Sequence, residues 1–445
     1  MCSIIGSSKK INKLSDVNRF SKNRGPDNTS EYEYQGLHLI HNLLSITGSF
    51  TKQPFISDCG NILCLYNGEI YNYKKLNPSS NSDGECIIPL YKEHGETFAR
   101  LLDGEFAIAL IDLSLNKIIL NTDTFATKPL WWIHDGNDFA FASYESCLLN
   151  MEIKGQPQKV APNTIQVYDL ESLNLINEHT VTTFNLDQYK DSFEDWEAAF
   201  LNSVKKRSLN EREGVFIGLS GGYDSGAIAL ALNIINAEYK AYCTPGAENR
   251  DTIQKRKSLV KDFMLLDITP EEFLDEKRFL AANCEDFKTK GKSTARNDKA
   301  SAGLSFVCRH ARNHDCKIYL SGQGADEIIS DYGANGKAIF SQSQLAGRFP
   351  NDLNKVFPWN NFYRGVQQKY LGKEECVSGA HGVEGRYPFL DIKVVQEFLN
   401  LTAGRKNSKY KAPIDFFLRK HNFPFIENEK KGFRPNHYFR HINKI

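Results

Sequence analysis

What the sequence lacks narrows the classes of protein that it can encode. None of its 445 residues belong to an apolar run near the ~20 residues that cross a bilayer, and the first ten residues have too short an apolar core for a signal peptide. Lys and Arg number 55 against 54 Asp and Glu, so no charge excess favours nucleic acid as a partner. We therefore expect a cytoplasmic protein with no membrane and no nucleic acid among its partners.

Cysteine pairs of the metal-binding kind are also missing. The ten cysteines form no CxxC pair and no Cys/His array, which indicates free thiols in a reducing compartment. The length exceeds what one hydrophobic core usually holds, so we expect more than one domain.

A turn of small residues near the middle of the chain joins a predicted buried strand to a predicted packed helix. Gly221 and Gly222 let the backbone approach a ligand closely, and Ser220 and Ser225 add hydroxyls near a helix N-terminus. Asp224 would repel a bare phosphate but can hold one through Mg²⁺. The turn predicts a phosphate site, and an ordinary glycine-rich turn is the plain alternative.

This turn resembles the SGGxDS loop of the ATP pyrophosphatases, which transfer AMP to a substrate and release pyrophosphate. A second small-residue loop, Ser321 to Glu327, follows the strand predicted at 316–320. Strands that alternate with helices predict an α/β doubly wound parallel sheet, with both loops at the carboxyl ends of its strands. There we expect Asp224 and Asp326 to share Mg²⁺ that bridges the phosphates of ATP, although helix N-terminal charge also explains Asp326. The predicted ATP and pyrophosphate site comprises Leu219, Ser220, Gly221, Gly222, Asp224, Ser225, Tyr242, Ser321 and Gly322.

The N-terminus carries a candidate nucleophile. If Met1 is removed, the Cys2 thiol lies beside a free α-amine with a pKa near ~7.7–8, which can act as its general base. Asn67 and Gly68 follow an apolar run and predict a turn that presents a side-chain amide and a glycine N–H, two donors suited to a tetrahedral oxyanion. An ordinary hairpin turn is the alternative.

Seven segments occur in the order seen in class II glutamine amidotransferases. They are Cys2, Arg24–Asp27, Asn67–Asn72, Ser82–Asp83, Asp103–Ala107, Lys128–Leu130 and Phe141–Ser143. The resemblance implies that Cys2 attacks the glutamine amide, with Asn67 and Gly68 as the oxyanion hole. It also implies a glutamine site formed by Arg24, Asn67, Gly68, Glu69 and Asp83. Many short strands separated by turns predict an α+β layered antiparallel sandwich, and the resemblance makes it an N-terminal-nucleophile hydrolase type.

The second half resembles the asparagine synthetase domain, on the two small-residue loops, Gly382–Asp391 and a lysine-bearing loop near the end. In that family a lysine, matched here to Lys430 or to Lys431, neutralises charge on the α-phosphate as pyrophosphate leaves. A solvated basic loop is the plain alternative. An amphipathic helix predicted from Phe193 places the boundary between a glutaminase domain, 1–187, and an ATP-binding domain, 188–445.

Among the departures from the family patterns, two bear directly on the chemistry. Leu43 stands where an arginine normally binds the α-carboxylate of glutamine, and leucine has no donor. Gln323 stands where some members have a glutamate assigned to handling of the acyl-adenylate, and a neutral amide cannot act as a base.

The combined resemblance implies an ATP-dependent amidation of aspartate to asparagine through a β-aspartyl-AMP intermediate, with nitrogen from glutamine or free ammonia. Glutamine, aspartate and ATP are the implied partners, and a homodimer is left open. One rival is a relative that amidates another carboxylate. The other is a glutamine- or nucleotide-binding homologue without turnover.

Overall fold

The computed structural model describes residues 2–209, 212–246, 249–290 and 293–427. The chain divides into two compact units. The first comprises Met1–Thr183, Asn283–Glu285 and Ser378–Gly382, and the second comprises Phe184–Ala282, Asp286–Val377 and Val383–Ile445. The functional boundary at residue 188 stays a prediction. Within the described ranges, no helix is long and apolar enough to cross a membrane.

The first unit contains two six-stranded antiparallel sheets. Its strands are β1 Ser3–Ser7, β2 Asn28–Tyr34, β3 Leu37–Leu43, β4 Phe55–Ile56, β5 Ile62–Ile70, β6 Gly104–Asp112, β7 Lys117–Thr122, β8 Trp131–His134, β9 Phe139–Ala142, β10 Gln158–Lys159, β11 Thr164–Asp169 and β12 Leu175–Thr180. One sheet has the order β10-β8-β9-β1-β3-β2 and the other β12-β11-β7-β6-β5-β4. The predicted layered antiparallel domain is confirmed.

Side chains of β5 point alternately into two core clusters, which lie on opposite faces of the second sheet. Leu63 and Leu65 pack in one core cluster with Ile4 of the other sheet. Tyr66 belongs to a second cluster that includes Ile87 of a helix. Because successive side chains of a strand point to opposite faces, the second sheet is covered by the first sheet on one face and by helix on the other.

The helices of the first unit are short. They are α1 Leu14–Val17, α2 Ser21–Arg24, α3 Tyr73–Leu76, α4 Ile87–His94 and α5 Glu145–Leu149, with 3₁₀ turns at Asp83–Cys86 and Gly95–Leu101.

The second unit is built on a five-stranded parallel sheet. Its strands, with four that form two small hairpins, are β13 Gly214–Gly218, β14 Lys240–Cys243, β15 Phe263–Leu265, β16 Lys288–Lys290, β17 Ser293–Thr294, β18 Cys316–Leu320, β19 Gly333–Ala334, β20 Lys337–Ala338 and β21 Glu384–Arg386. The main sheet has the order β15-β14-β13-β18-β21. The strand order therefore reverses between β13 and β18, which is where doubly wound sheets bind ligands. The predicted α/β fold is confirmed.

Nine α-helices accompany this sheet within the described residues. They are α6 Glu194–Ser208, α7 Tyr223–Ile234, α8 Arg250–Lys257, α9 Pro270–Asn283, α10 Lys299–Arg312, α11 Val366–Gly379, α12 Ile392–Asn400, α13 Ala403–Lys406 and α14 Ala412–Lys420. A π-helical turn at Ala325–Ser330 and 3₁₀ turns at Leu353–Lys355 and Pro388–Leu390 complete the set. The amphipathic helix predicted from Phe193 is α6, and its aromatic side chains Trp196 and Phe200 are buried.

Candidate active sites

The residue before β1 is the predicted nucleophile. Cys2 is partly exposed, and its Sγ lies 3.8 Å from the carbonyl oxygen of Leu44. The fully buried Arg24 donates from Nε to the carbonyl oxygen of Cys2 at 3.0 Å and from Nη1 to the Tyr144 hydroxyl at 3.0 Å. Arg24 therefore fixes the backbone of the candidate nucleophile, and its contact with glutamine stays a prediction.

Asn67 and Gly68 lie inside a strand, so the turn predicted at this pair is wrong. The ladder between β5 and β6 continues from the Asn67–Ala107 pair to the Ile70–Gly104 pair, which keeps the backbone extended. Gly68 has φ +152°, and a Cβ there would lie 2.1 Å from the carbonyl oxygen of Glu105. Only glycine fits this close approach of two strands.

The side chain of Asn67 is fully buried, and neither its Nδ2 nor its Oδ1 has a hydrogen-bond partner among the described residues. A buried polar group without a partner costs about 1–3 kcal/mol, so such a group usually serves a ligand. The hydroxyls of Ser45 and Ser82 are likewise buried without a partner in the described part of the chain. These groups suit a polar substrate in the first unit.

Two carboxylates lie near the end of β5. Asp83 Oδ2 accepts from the backbone N–H of Ile70 at 3.0 Å and from the Tyr66 hydroxyl at 2.5 Å. Glu69 Oε2 accepts from the Thr47 hydroxyl at 2.9 Å. Both acids are mostly buried, at 8% and 5% exposure. Both acids predicted for the glutamine site therefore lie near the end of β5.

The strand β3 ends with Leu43, which is buried and offers no donor. Two positions before it is His41, a residue to which the sequence assigned no role. His41 is fully buried, and neither ring nitrogen has a partner within the described residues. Burial, together with the positive charge of the chain N-terminus, lowers the pKa of His41 to about 3, so its ring is neutral at pH 7.

Hydroxyls and an arginine hold the predicted phosphate loop. Ser220 Oγ lies 2.9 Å from Ser225 Oγ and accepts from the N–H of Gly222 at 3.1 Å. The buried Arg256 donates to the carbonyl oxygens of Ser220 and, at 2.9 Å, of Gly222. These contacts fix the backbone of the loop and turn its carbonyl groups towards the guanidinium. No sequence pattern pointed to Arg256, which lies on α8.

Tyr242 supports the loop through its backbone. Its carbonyl oxygen accepts from the N–H of Leu219 at 2.8 Å. Its ring is buried and lies edge-on to Phe216, with centroids 5.9 Å apart. A side-chain contact between Tyr242 and nucleotide stays a prediction.

The two small-residue loops meet at the carboxyl ends of β13 and β18. A Cβ on Gly322 would lie 2.9 Å from the Cβ of Asp224. Ser321 donates from its backbone N–H to the carbonyl oxygen of Arg386 at 2.9 Å and from its hydroxyl to Glu374 Oε2 at 2.6 Å. The predicted convergence of the loops is therefore present in the second unit.

One lysine joins the two predicted metal ligands. Lys411 Nζ lies 2.6 and 2.8 Å from the oxygens of Asp224 and 2.8 Å from Asp326 Oδ1. Burial lowers the pKa of Lys411, but the charges of Asp224 and Asp326 outweigh this effect and hold the pKa well above its ordinary value. Two carboxylates around one positive charge are also a donor set that suits Mg²⁺, which would take the place of the ammonium. The sequence did not assign Lys411 to the site.

Lys430 and Lys431, the predicted phosphate-contacting lysines, lie outside the described residues.

Both halves of the chain match known protein families. The glutamine amidotransferase domain family matches residues 1–185, and the asparagine synthase family matches residues 195–376. A putative glutamine-hydrolysing asparagine synthetase of Methanocaldococcus jannaschii is 30% identical, over 92% of this chain and 82% of the relative. The glutamine-hydrolysing asparagine synthetase of Mus musculus is 26% identical, over 81% of this chain and 69% of the relative.

Solved structures give weaker matches. The glutamine phosphoribosylpyrophosphate amidotransferase from B. subtilis, complexed with ADP and GMP, matches with 14% identity and a TM-score of 0.34, over 63% of this chain and 78% of that one. The NMN synthetase from Francisella tularensis matches with 16% identity and a TM-score of 0.24, over 55% of this chain and 100% of that one.

Proposed function

The chain belongs to the family of glutamine-hydrolysing asparagine synthetases, ligases that use ATP and take nitrogen from glutamine, and from this membership we propose that it converts aspartate to asparagine through a β-aspartyl-AMP intermediate. The observation that carries the proposal is the convergence of Asp224 and Asp326 on one positive charge where the strand order reverses. Two acids beside a loop of hydroxyls and N–H groups suit ATP held through Mg²⁺.

In the first unit, Cys2 would release ammonia from glutamine. Once Met1 is removed, the α-amine of Cys2 takes the thiol proton and the sulfur attacks the amide carbon. Asn67 Nδ2, which has no other partner among the described residues, and the N–H of Gly68 would stabilise the oxyanion. Asp83 and Glu69 supply negative charge for the amino group of glutamine.

In the second unit, the loop that begins at Ser220 would bind the pyrophosphate part of ATP. Arg256 keeps the loop carbonyl groups turned away from the phosphates, because it donates hydrogen bonds to them. Asp224 and Asp326 would hold Mg²⁺, and the ion would supply positive charge to the phosphates of ATP. Lys430 or Lys431 would stabilise the departing pyrophosphate.

Leu43 favours free ammonia as a second nitrogen source. Without an arginine at this position, the α-carboxylate of glutamine lacks a bidentate partner, so we propose weak binding of glutamine. Hydrolysis of glutamine would then limit the rate of asparagine synthesis with glutamine. Free ammonia would bypass this step and supply nitrogen directly.

The proposal is tested by product identification. The purified protein is incubated with ATP, Mg²⁺ and aspartate, and with either ¹⁵N-amide glutamine or ¹⁵N-ammonium. We expect ¹⁵N-asparagine, AMP and pyrophosphate in equal amounts. Pyrophosphate that forms only with a different acid would instead support the relative with another acceptor, and no pyrophosphate with any carboxylate would support a binding protein.

A further inference from the structure

Gln323 is held by hydrogen bonds within its own loop. Its Nε2 donates to Glu327 Oε1 at 2.6 Å, and its backbone N–H donates to the Ser321 hydroxyl at 3.1 Å. A neutral amide cannot accept a proton from a nucleophile. Under the proposed function, however, the ammonia nitrogen must lose a proton after it attacks the acyl-adenylate, because the product is a neutral amide. A basic group near this loop would accept that proton.

A carboxylate on α11 reaches the same loop. Glu374 Oε2 accepts from the Ser321 hydroxyl at 2.6 Å, and Ser321 is the first residue after β18. The side chain of Glu374 keeps part of its surface accessible to solvent. Tyr370 lies one turn earlier on α11, and its ring centroid is 6.4 Å from that of Tyr332, whose hydroxyl donates to Glu327 at 2.5 Å. This face of α11 is therefore directed at the nucleotide loop.

The surroundings of Glu374 bring its pKa close to neutral pH, so the carboxylate can take up and release a proton there. The pKa of Glu374 is raised to about 7. Burial is the main cause and the charges of Glu327 and Glu375 add to it, while the Ser321 hydrogen bond and the charge of Lys373 oppose it. Lys373 also forms an ion pair with Asp298 at 3.0 Å, and this pair weakens the effect of Lys373 on Glu374. Two further titratable groups that interact electrostatically with Glu374 are Tyr319 and Cys308.

We propose that the Glu374 carboxylate accepts the proton of the attacking ammonia in the second unit, in place of the base that Gln323 cannot be. The nitrogen forms a bond to the acyl carbon, and one N–H bond breaks as its proton passes to Glu374. The bond between the acyl carbon and the phosphate oxygen then breaks, and AMP leaves with the electron pair. This inference rests on the proposed function, because it needs an acyl-adenylate and ammonia at this loop.

The variant Glu374→Gln should distinguish formation of the acyl-adenylate from the later formation of the amide. Adenylate formation is measured as aspartate-dependent exchange between ATP and labelled pyrophosphate, and amide formation is measured with ammonium at a fixed concentration of free ammonia. We expect exchange to be retained and amide formation to fall by about 10²–10⁴-fold. In the unmodified protein amide formation rises with pH through about 7, and the variant loses this dependence.

Two further variants control the result. Glu374→Gln combined with Gln323→Glu restores a carboxylate at the loop, and we expect it to recover part of the amide formation. Glu271→Gln removes an exposed acid in the first turn of α9, and we expect it to change neither step.

Several outcomes would overturn the inference. One is unchanged amide formation in Glu374→Gln. Another is a loss of exchange together with amide formation in a variant whose thermal unfolding is unchanged, and a third is a raised KM for aspartate in the exchange reaction, which would assign Glu374 to the acceptor. If the unmodified protein shows no exchange, the proposed function itself fails, and this inference fails with it.

Discussion

Lys411 donates to both carboxylate oxygens of Asp224, at 2.6 and 2.8 Å, although 187 positions separate the two residues. The same ammonium reaches Asp326, so one cation pairs with two acids at the strand-order reversal. Lys411 itself is 3% exposed. Removal of this buried ammonium would therefore leave the two carboxylates without a compensating charge.

Replacement of this cation should make the fold depend on magnesium. Lys411→Met leaves Asp224 and Asp326 without their shared partner, and we expect a loss of about 3–5 kcal/mol in the free energy of unfolding. Mg²⁺ should restore more of the loss in this variant than it adds to the unmodified protein. Thermal unfolding with Mg²⁺ and with a chelator measures both effects. The exposed Lys409→Met is the matched control, and an equal response of both variants would contradict the assignment.

Removal of the N-terminal thiol should separate the two nitrogen sources. We expect Cys2→Ala to lose glutamine-dependent synthesis by about 10³-fold or more, because a nucleophile acts as one unit with its base. Ammonium-dependent synthesis should be unchanged. The exposed Cys59→Ala serves as the control and should keep both activities. Glutamine turnover that survives in Cys2→Ala would show that the nucleophile lies elsewhere.

The buried amide of Asn67 should act in the transition state. Asn67→Ala removes a donor that has no other described partner, and we expect kcat for glutamine hydrolysis to fall by about 10²–10³-fold with little change in KM. Steady-state ammonia release measures both constants. Asn177→Ala, on the exposed edge strand β12, should behave like the unmodified protein. A rise in KM alone would indicate a binding role.

An arginine at the end of β3 should improve glutamine binding. Leu43→Arg supplies a charged donor for the α-carboxylate, and we expect the KM for glutamine to fall by about 10–100-fold, as a charge-assisted hydrogen bond is worth about 1.5–3 kcal/mol. Leu43→Met keeps the apolar character and should leave KM as it is. If the unmodified protein already binds glutamine as tightly as the arginine variant, Leu43 does not limit binding.

Low pH should reduce the free energy of unfolding of the second unit through protonation of Asp391, the N-cap of α12. Burial raises the pKa of Asp391, but Arg207 at 2.8 Å and Lys206 outweigh it and bring the pKa to about 2. A folded pKa below the ordinary 3.8 stabilises the fold above pH 3.8, and this stabilisation is lost as pH falls towards 2.

At neutral pH we therefore expect Asp391→Asn to lose about 3–5 kcal/mol of unfolding free energy. The difference from the unmodified protein should narrow as pH falls from about 4 to about 2, because protonation of Asp391 then removes the charge that the variant already lacks. Urea unfolding at several pH values measures it. Asp251→Asn, exposed at the start of α8, should show no such convergence.

Local patterns were enough to predict both folds. Many short strands separated by turns predicted the antiparallel domain, and an apolar run before a glycine-rich turn predicted β13 and α7, because both signals depend on neighbours in the chain. The same reasoning failed at Asn67 and Gly68. A hairpin signal there is overridden by pairing with β6, a contact with residues almost 40 positions away.

The sequence by itself determined the chemical groups of this protein, which are an N-terminal thiol, two phosphate-type loops and their acids, because residue type and order are local properties. Only the tertiary structure decided which residues contact these groups and which charges lie beside them. Arg256 under the phosphate loop, Lys411 between the two aspartates and Glu374 beside Ser321 each come from a distant element. Burial makes each of these contacts strong, and burial exists only after the chain has packed.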